Sequence, residues 1–196
     1  MGTLFVDKLD PQSGTALEIG SSGDTMTVPS GATFNVAGTL QSGGAAINNK
    51  PILSVGLSSS QTMSDNTWTT IVMDTEILDA DGIYNSGTGV ATPTAGTYLM
   101  IFCANVSGSN SDTLEDAGVK FLIGGSVTTA EQTLNRNGSG QSANLVTSYV
   151  MAFDGSTTVA CQAYNNVSSG TASVYGGTSP RFGGTFQMVK LITWVI

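Results

Sequence analysis

A strand–turn–strand stretch runs from Met73 to Phe102 and closes on Gly96-Thr97-Tyr98-Leu99-Met100-Ile101-Phe102. A turn glycine followed by period-two spacing predicts a strand with Tyr98, Met100 and Phe102 on one face and Cys103 on the other. From Pro51 onward the same reading recurs. It predicts strands over residues 52–57, 67–73, 89–92, 96–106, 118–123, 126–135, 143–153, 157–164, 172–175 and 184–196. The turn dipeptides Asp81-Gly82, Gly124-Gly125, Asn137-Gly138, Asp154-Gly155 and Gly176-Gly177 punctuate them. No helix is predicted. Many short strands with regular turns predict a β-sandwich or jelly roll. The last strand, Phe186 to Ile196, is apolar to its end, which predicts a central place beside the first strand of this domain.

The 196-residue chain holds 25 Gly and only 5 Pro, a turn-rich β composition rather than a coiled coil or collagen. Charged residues make up 10%, well under the roughly 25% of an ordinary soluble domain. So little charge leaves a broad neutral surface, which burial in an oligomer covers. Formal charge is −8 with no basic run, which argues against nucleic acid and anionic membrane surfaces as partners. No run approaches the roughly 20 apolar residues of a membrane span. The start, Met1-Gly2-Thr3-Leu4-Phe5-Val6-Asp7-Lys8, lacks a secretory pattern, so the expectation is synthesis in a cytoplasm. In that compartment Cys103 and Cys161 are expected as two buried free thiols.

Residues 1–47 read differently. Apolar pairs at i and i+2 (Leu17 with Ile19, Met26 with Val28, Phe34 with Val36) recur every eight to nine residues, with turn signals between them. Each unit is too short to hold a core alone, so stacked or intertwined copies would be needed to bury the pairs. The expectation is a short repetitive β stem over residues 1–47, a hinge near residues 41–50, and a head over residues 48–196.

Met73, Asp79, Tyr84, Val90, Gly96, Tyr98 and Met100, with the closing Arg181-Phe182-Gly183-Gly184-Thr185-Phe186, resemble the globular head of complement component 1q, a jelly roll shared with tumour necrosis factor. Met73, Val90 and Met100 stand where that family usually has aromatics, and the step from Tyr84 to Val90 is one residue short. Leu17-Glu18-Ile19-Gly20 and the stretch from Gly23 to Phe34 resemble stem repeats of tailed-bacteriophage fibre and virion-appendage proteins. Together the two resemblances imply a homotrimeric virion protein assembled in a host cytoplasm. Its N-terminal segment would attach to other virion proteins, and its C-terminal heads would bind a host surface glycan or protein. The role implied first is a tail fibre or spike; the alternative is a capsid decoration or head-fibre protein. A bacterial lectin-like trimer is a more distant third.

Catalysis has little to work with. The chain has no His, which removes Ser–His and Cys–His nucleophile pairs and His-bearing zinc sites. Asp74, Glu76, Asp79, Asp81, Glu115 and Asp116 are the carboxylates from which a glycan-hydrolysing pair would be drawn. Asp79-Ala80-Asp81-Gly82 is a fragment of a calcium loop without its closing Glu, and it reads better as an acidic hairpin turn. The stretch from Gly108 to Asp116 offers further oxygens. Trp68, Tyr84, Tyr164 and Tyr175 are candidates for a sugar platform if they cluster. The Asn-x-Ser matches at Asn105, Asn137 and Asn166 follow from Ser and Asn content. The sequence expectation is a non-enzyme with no cofactor and no metal.

Overall fold

The computed structural model describes residues 11, 13–15, 17, 19–38, 41–42, 45–46, 50–109, 113–127, 131–177 and 183–191. The chain divides into two units, Met1–Leu40 and Gln41–Ile196. In the first, the described residues from 11 to 38 form bends and turns but no strand. The expected stem strands are therefore absent from the single chain there. The apolar pairs lie open, with exposures of 45% and 65% at Leu17 and Ile19, 60% and 44% at Met26 and Val28, and 55% and 38% at Phe34 and Val36. An isolated short strand has nothing to pair with, which accounts for the difference.

The described residues of the second unit form strands, turns and loops, with no helix among them. This unit opens with a small hairpin of β1 (Gln41–Ser42) and β2 (Ala45–Ala46). Then come β3 (Lys50–Gly56), β4 (Gln61–Met63), β5 (Thr69–Thr70), β6 (Thr75–Asp79), β7 (Tyr84–Asn85) and β8 (Val90–Ala91). The longer strands follow: β9 (Gly96–Gly108), β10 (Leu114–Ile123), β11 (Ser126–Val127), β12 (Gln132–Gly140), β13 (Ser142–Phe153) and β14 (Val159–Val167). The last are β15 (Ala172–Val174) and β16 (Gly184–Lys190).

Two antiparallel sheets result. In the first, β13 lies along one edge of β9, and β15 and β16 run in tandem along the other. Beyond them β3 pairs with β16, β4 with β15, and β6 with β3. In the second, β10 pairs with β14 on one side and with β11 and β12 on the other. Strands β5 and β8 continue from β14, and β7 from β8. The chain crosses from the first sheet to the second between β9 and β10 and again between β13 and β14, as a jelly roll does. Phe102 and Phe186 on the first sheet meet Phe121 on the second at centroid distances of 6.5 and 5.9 Å, joining the two inner faces in one core.

The alternation from Gly96 is realised along all of β9: Tyr98, Met100, Phe102 and Val106 are fully buried. As expected, β16 is central, between β3 and β9. Cys161 is buried, but Cys103 is only half-buried, because it faces out of the first sheet; both are free thiols. Asn137-Gly138 lies within β12 rather than at a turn, since the pairing with β10 resumes at Gly140 and the reversal falls at Gln141. Strands β4, β6 and β7 escaped the sequence reading: β4 and β7 have three and two residues, too few to show a period, and the five of β6 do not alternate between buried and exposed. The predicted strand over residues 67–73 shrinks to Thr69–Thr70.

Asp79 closes the β6–β7 turn. Its Oδ1 accepts from Ile83 N at 2.9 Å and its Oδ2 from Tyr84 N at 3.0 Å, with Gly82 at φ 62° between them. Both oxygens thus serve the turn, as the acidic-hairpin reading expected. The turn delivers Tyr84 into the core, where its hydroxyl accepts from Met73 N at 3.0 Å. Burial raises the Tyr84 hydroxyl well above its ordinary pKa, so it stays neutral. Tyr84→Phe leaves the buried Met73 N–H without its acceptor and should destabilise the protein by about 1–3 kcal/mol. Urea unfolding monitored by circular dichroism measures it; an unchanged midpoint would count against this role for the hydroxyl.

Candidate functional site

The outer face of the second sheet carries the most developed group of polar and aromatic side chains. On β10 the residues Asp116, Gly118 and Lys120 alternate outward, while Ala117, Val119 and Phe121 enter the core. Cross-strand pairing sets Gly118 between Tyr164 of β14 and Thr133 of β12, and Lys120 opposite Gln162. Trp68 arrives from the β4–β5 connection and lies across this row. Its ring is 3.8 Å from Lys120 Nζ and 5.4 Å, centroid to centroid, from Tyr164.

Glycine is required at 118. A Cβ there would stand 2.8 Å from Trp68 Cη2 and 3.2 Å from Thr133 Cγ2. The tryptophan covers Lys120, which is only 4% exposed, and cation–π attraction offsets part of the cost of burying that ammonium.

A polar network fixes the connection that carries Trp68. Asn66 has φ 52°, a left-handed conformation that asparagine tolerates better than most residues. Its N–H donates to Asn165 O at 2.9 Å, and its Oδ1 accepts from Tyr164 OH at 2.8 Å. Asp65 Oδ1 accepts from Val167 N at 2.9 Å, and Ser64 O accepts from the buried Asn165 Nδ2 at 3.0 Å. Desolvation, then the nearby Asp116 and Asp65 carboxylates, raise the Tyr164 hydroxyl pKa and keep it a neutral donor. A register shift between Leu114 and Asp116 marks a bulge that brings Glu115 and Asp116 to one partner. Asn166 Nδ2 donates to Glu115 Oε2 at 3.3 Å and to Asp116 Oδ2 at 3.2 Å. Beside this network is a recess of about 160 Å³ lined by Asp116, Ala117, Thr133, Leu134, Asn135 and Tyr164.

Of the four candidate platform aromatics, the fold brings together Trp68 and Tyr164 only. Tyr84 is a core residue, and Tyr175 is 52% exposed just beyond β15 of the first sheet. The carboxylates also disperse. Asp74 accepts from Ser58 N and Oγ, Asp79 serves its turn, and Asp81 lies 3.9 Å from Lys50 Nζ. Glu76 stands exposed on β6. Only Glu115 and Asp116 converge, and they do so on an amide rather than across an open cleft. Among the described residues no three His, Cys, Asp or Glu side chains are grouped to hold a metal ion. Asn110, Ser111 and Asp112 of the oxygen-rich stretch, the pair Arg181-Phe182, and residues 1–10 and 192–196 lie outside the described residues.

No family model matches the chain, and no curated protein matches it. Among solved structures it is similar to the globular domain of zebrafish complement 1qA protein, at 14% identity and TM-score 0.49, covering 74% of this chain and 98% of that one. The description of the head as a two-sheet sandwich rests on its own strand pairing. Asn66, Gly118 and Lys120 were missed in sequence because each acts through Trp68, which is distant along the chain.

Two measurements test this account. Gly118→Ala should push Trp68 off the sheet, abolish the ring-current shift of the Lys120 ε-methylene resonance, and destabilise the protein by about 1–3 kcal/mol; an unmoved resonance would contradict the packing. At Asp74, burial raises the pKa, but the Ser58 hydroxyl and N–H bonds outweigh it and hold the carboxyl below the ordinary value of 3.8. A depressed folded pKa gives stability that is present above the unfolded value and lost as pH falls through the folded one. The melting-temperature advantage of the wild type over Asp74→Asn should therefore fade as pH drops below about 4.

Proposed function

We propose that this chain is a structural protein of a tailed-bacteriophage virion: a homotrimeric fibre or spike, without enzymatic activity, whose heads bind the host cell surface. Residues 1–47 form the stem and attachment segment in this reading, and residues 48–196 the head.

The observation that carries the reading is the outer face of the first sheet. Strands β9, β13 and β16 contain a single charged residue, Lys190. Outward from β9 stand Leu99, Ile101 and Cys103; from β13, Val146 and Val150, each 53% exposed; from β16, Gln187 and Val189. An exposed apolar sheet face of this kind suits association, and a closed ring of identical chains would cover it without leaving an open end. The bare apolar pairs of residues 17–36 ask for the same remedy. Three chains side by side supply the neighbours that one stem segment lacks.

Binding rather than catalysis follows from the absence of His and from carboxylates already engaged by Ser58, the Asp79 turn and Asn166. Three heads on one axis convert weak single sites into firm attachment. The same apolar sheet face would also serve packing against a virion shell, which favours a second reading, a capsid decoration or head-fibre protein.

Light scattering should return about 60 kDa, three times the 20.0 kDa chain; a value of one chain mass would sink the trimer. In the native assembly Cys103 should resist alkylation, as Cys161 does through burial, and both should react after denaturation. Gold-labelled antibody against residues 48–196 separates the two virion roles. Label at the tail supports adsorption; label spread over the capsid supports decoration.

A further inference from the structure

We propose that the recess beside Trp68 and Tyr164 binds an uncharged saccharide. The inference rests on the reading of the head as a surface binder, and it names the ligand class and the residues.

A pyranose ring offers an apolar C–H face and a rim of hydroxyls. The site offers the complement. Tyr164 supplies the apolar wall, Ala117 and Leu134 line the recess between the outward side chains, and Trp68 extends the aromatic surface on the Gly118 side. Asp116 is an acceptor, while Thr133 and Asn135 both donate and accept; all three line the recess. Most of these groups are held in place before any ligand arrives. Tyr164 OH is fixed on Asn66, Asp116 Oδ2 on Asn166, and Trp68 over Lys120, so little side-chain freedom is lost on binding.

The charge pattern selects among sugars. Among the described residues no cationic side chain lines the recess, and Lys120 is covered by Trp68. Asp116 lies in the wall, with Glu115 sharing its Asn166 partner and Asp65 beside Asn66. An acidic sugar or a phosphate would meet these carboxylates with no compensating cation among the described lining residues. The site therefore favours neutral hexoses and N-acetylhexosamines over sialic or uronic acids and nucleotides. Its small size fits one sugar unit, and affinity would be gained through the several copies in an assembly.

The test uses the full chain with methyl glycosides of glucose, galactose, mannose and N-acetylglucosamine as probes, and N-acetylneuraminic acid as the anionic control. Saturation-transfer NMR should show ring-proton transfer to at least one neutral glycoside, and the Thr133 methyl resonance should shift. Asn135, exposed and opposite Asp116 on the outer face, can be replaced without touching the core: Asn135→Arg lays a long side chain over the recess, and Trp68→Phe trims the platform while keeping a ring over Lys120. Asn135→Arg should weaken binding by about tenfold or more and Trp68→Phe by a smaller factor. Asp116→Asn should weaken neutral binding and relax the exclusion of the anionic sugar. No transfer to any of the four neutral probes, equal binding by Asn135→Arg, or preference for the anionic sugar would overturn the proposal. Staining of host cells separates the two readings. Cells stained equally by wild type and Asn135→Arg leave host binding standing and remove the recess as its site. Glycoside binding without cell staining keeps the recess and removes host adsorption.

Discussion

Strand β9 is the constraint on which the rest of the head depends. It pairs along its whole length with β13 on one edge and with β15 and β16 on the other. A strand paired on both edges cannot slip, because a shift of one residue would exchange its faces. The inner face then carries Tyr98, Met100, Phe102, Ala104 and Val106 into the core, and Phe102 meets Phe121 of the opposite sheet. The outer face presents Leu99, Ile101 and Cys103 to whatever covers the first sheet. One register thus sets both the core and the proposed association surface.

The two outer faces differ in chemistry. That of β9, β13 and β16 is nearly without charge. That of β10, β12 and β14 is polar, crossed by Trp68 and edged by carboxylates and amides. Covering the first with other copies of the chain leaves the second available to solvent and ligand. The proposed division of labour, assembly on one sheet and recognition on the other, follows from that asymmetry.

The long strands β9, β10, β13, β14 and β16 were legible in the sequence, as were β3 and the short β8 and β15, which turn residues bound. Glycine turns at Gly82, Gly124, Gly125 and Gly155 were legible because positive φ selects glycine at those positions. Asn137-Gly138 was misread because the dipeptide signal cannot tell a turn from a strand continued past it. The buried state of Cys103 was misjudged for a related reason: residues that enter the core and residues on an apolar outer face look alike in sequence.

The chain by itself determined an all-β head, the inward set of β9, and the lack of histidine chemistry, since these follow from local periodicity and composition. Only the tertiary structure decided that Trp68 and Tyr164 share a site while Tyr84 enters the core and Tyr175 stands elsewhere. It also decided that Gly118 must be small and that Lys120 lies under a ring. The physical reason is that pairing β10 with β14 and laying the β4–β5 connection over them joins residues about 50 to 100 positions apart. No local pattern records such a meeting.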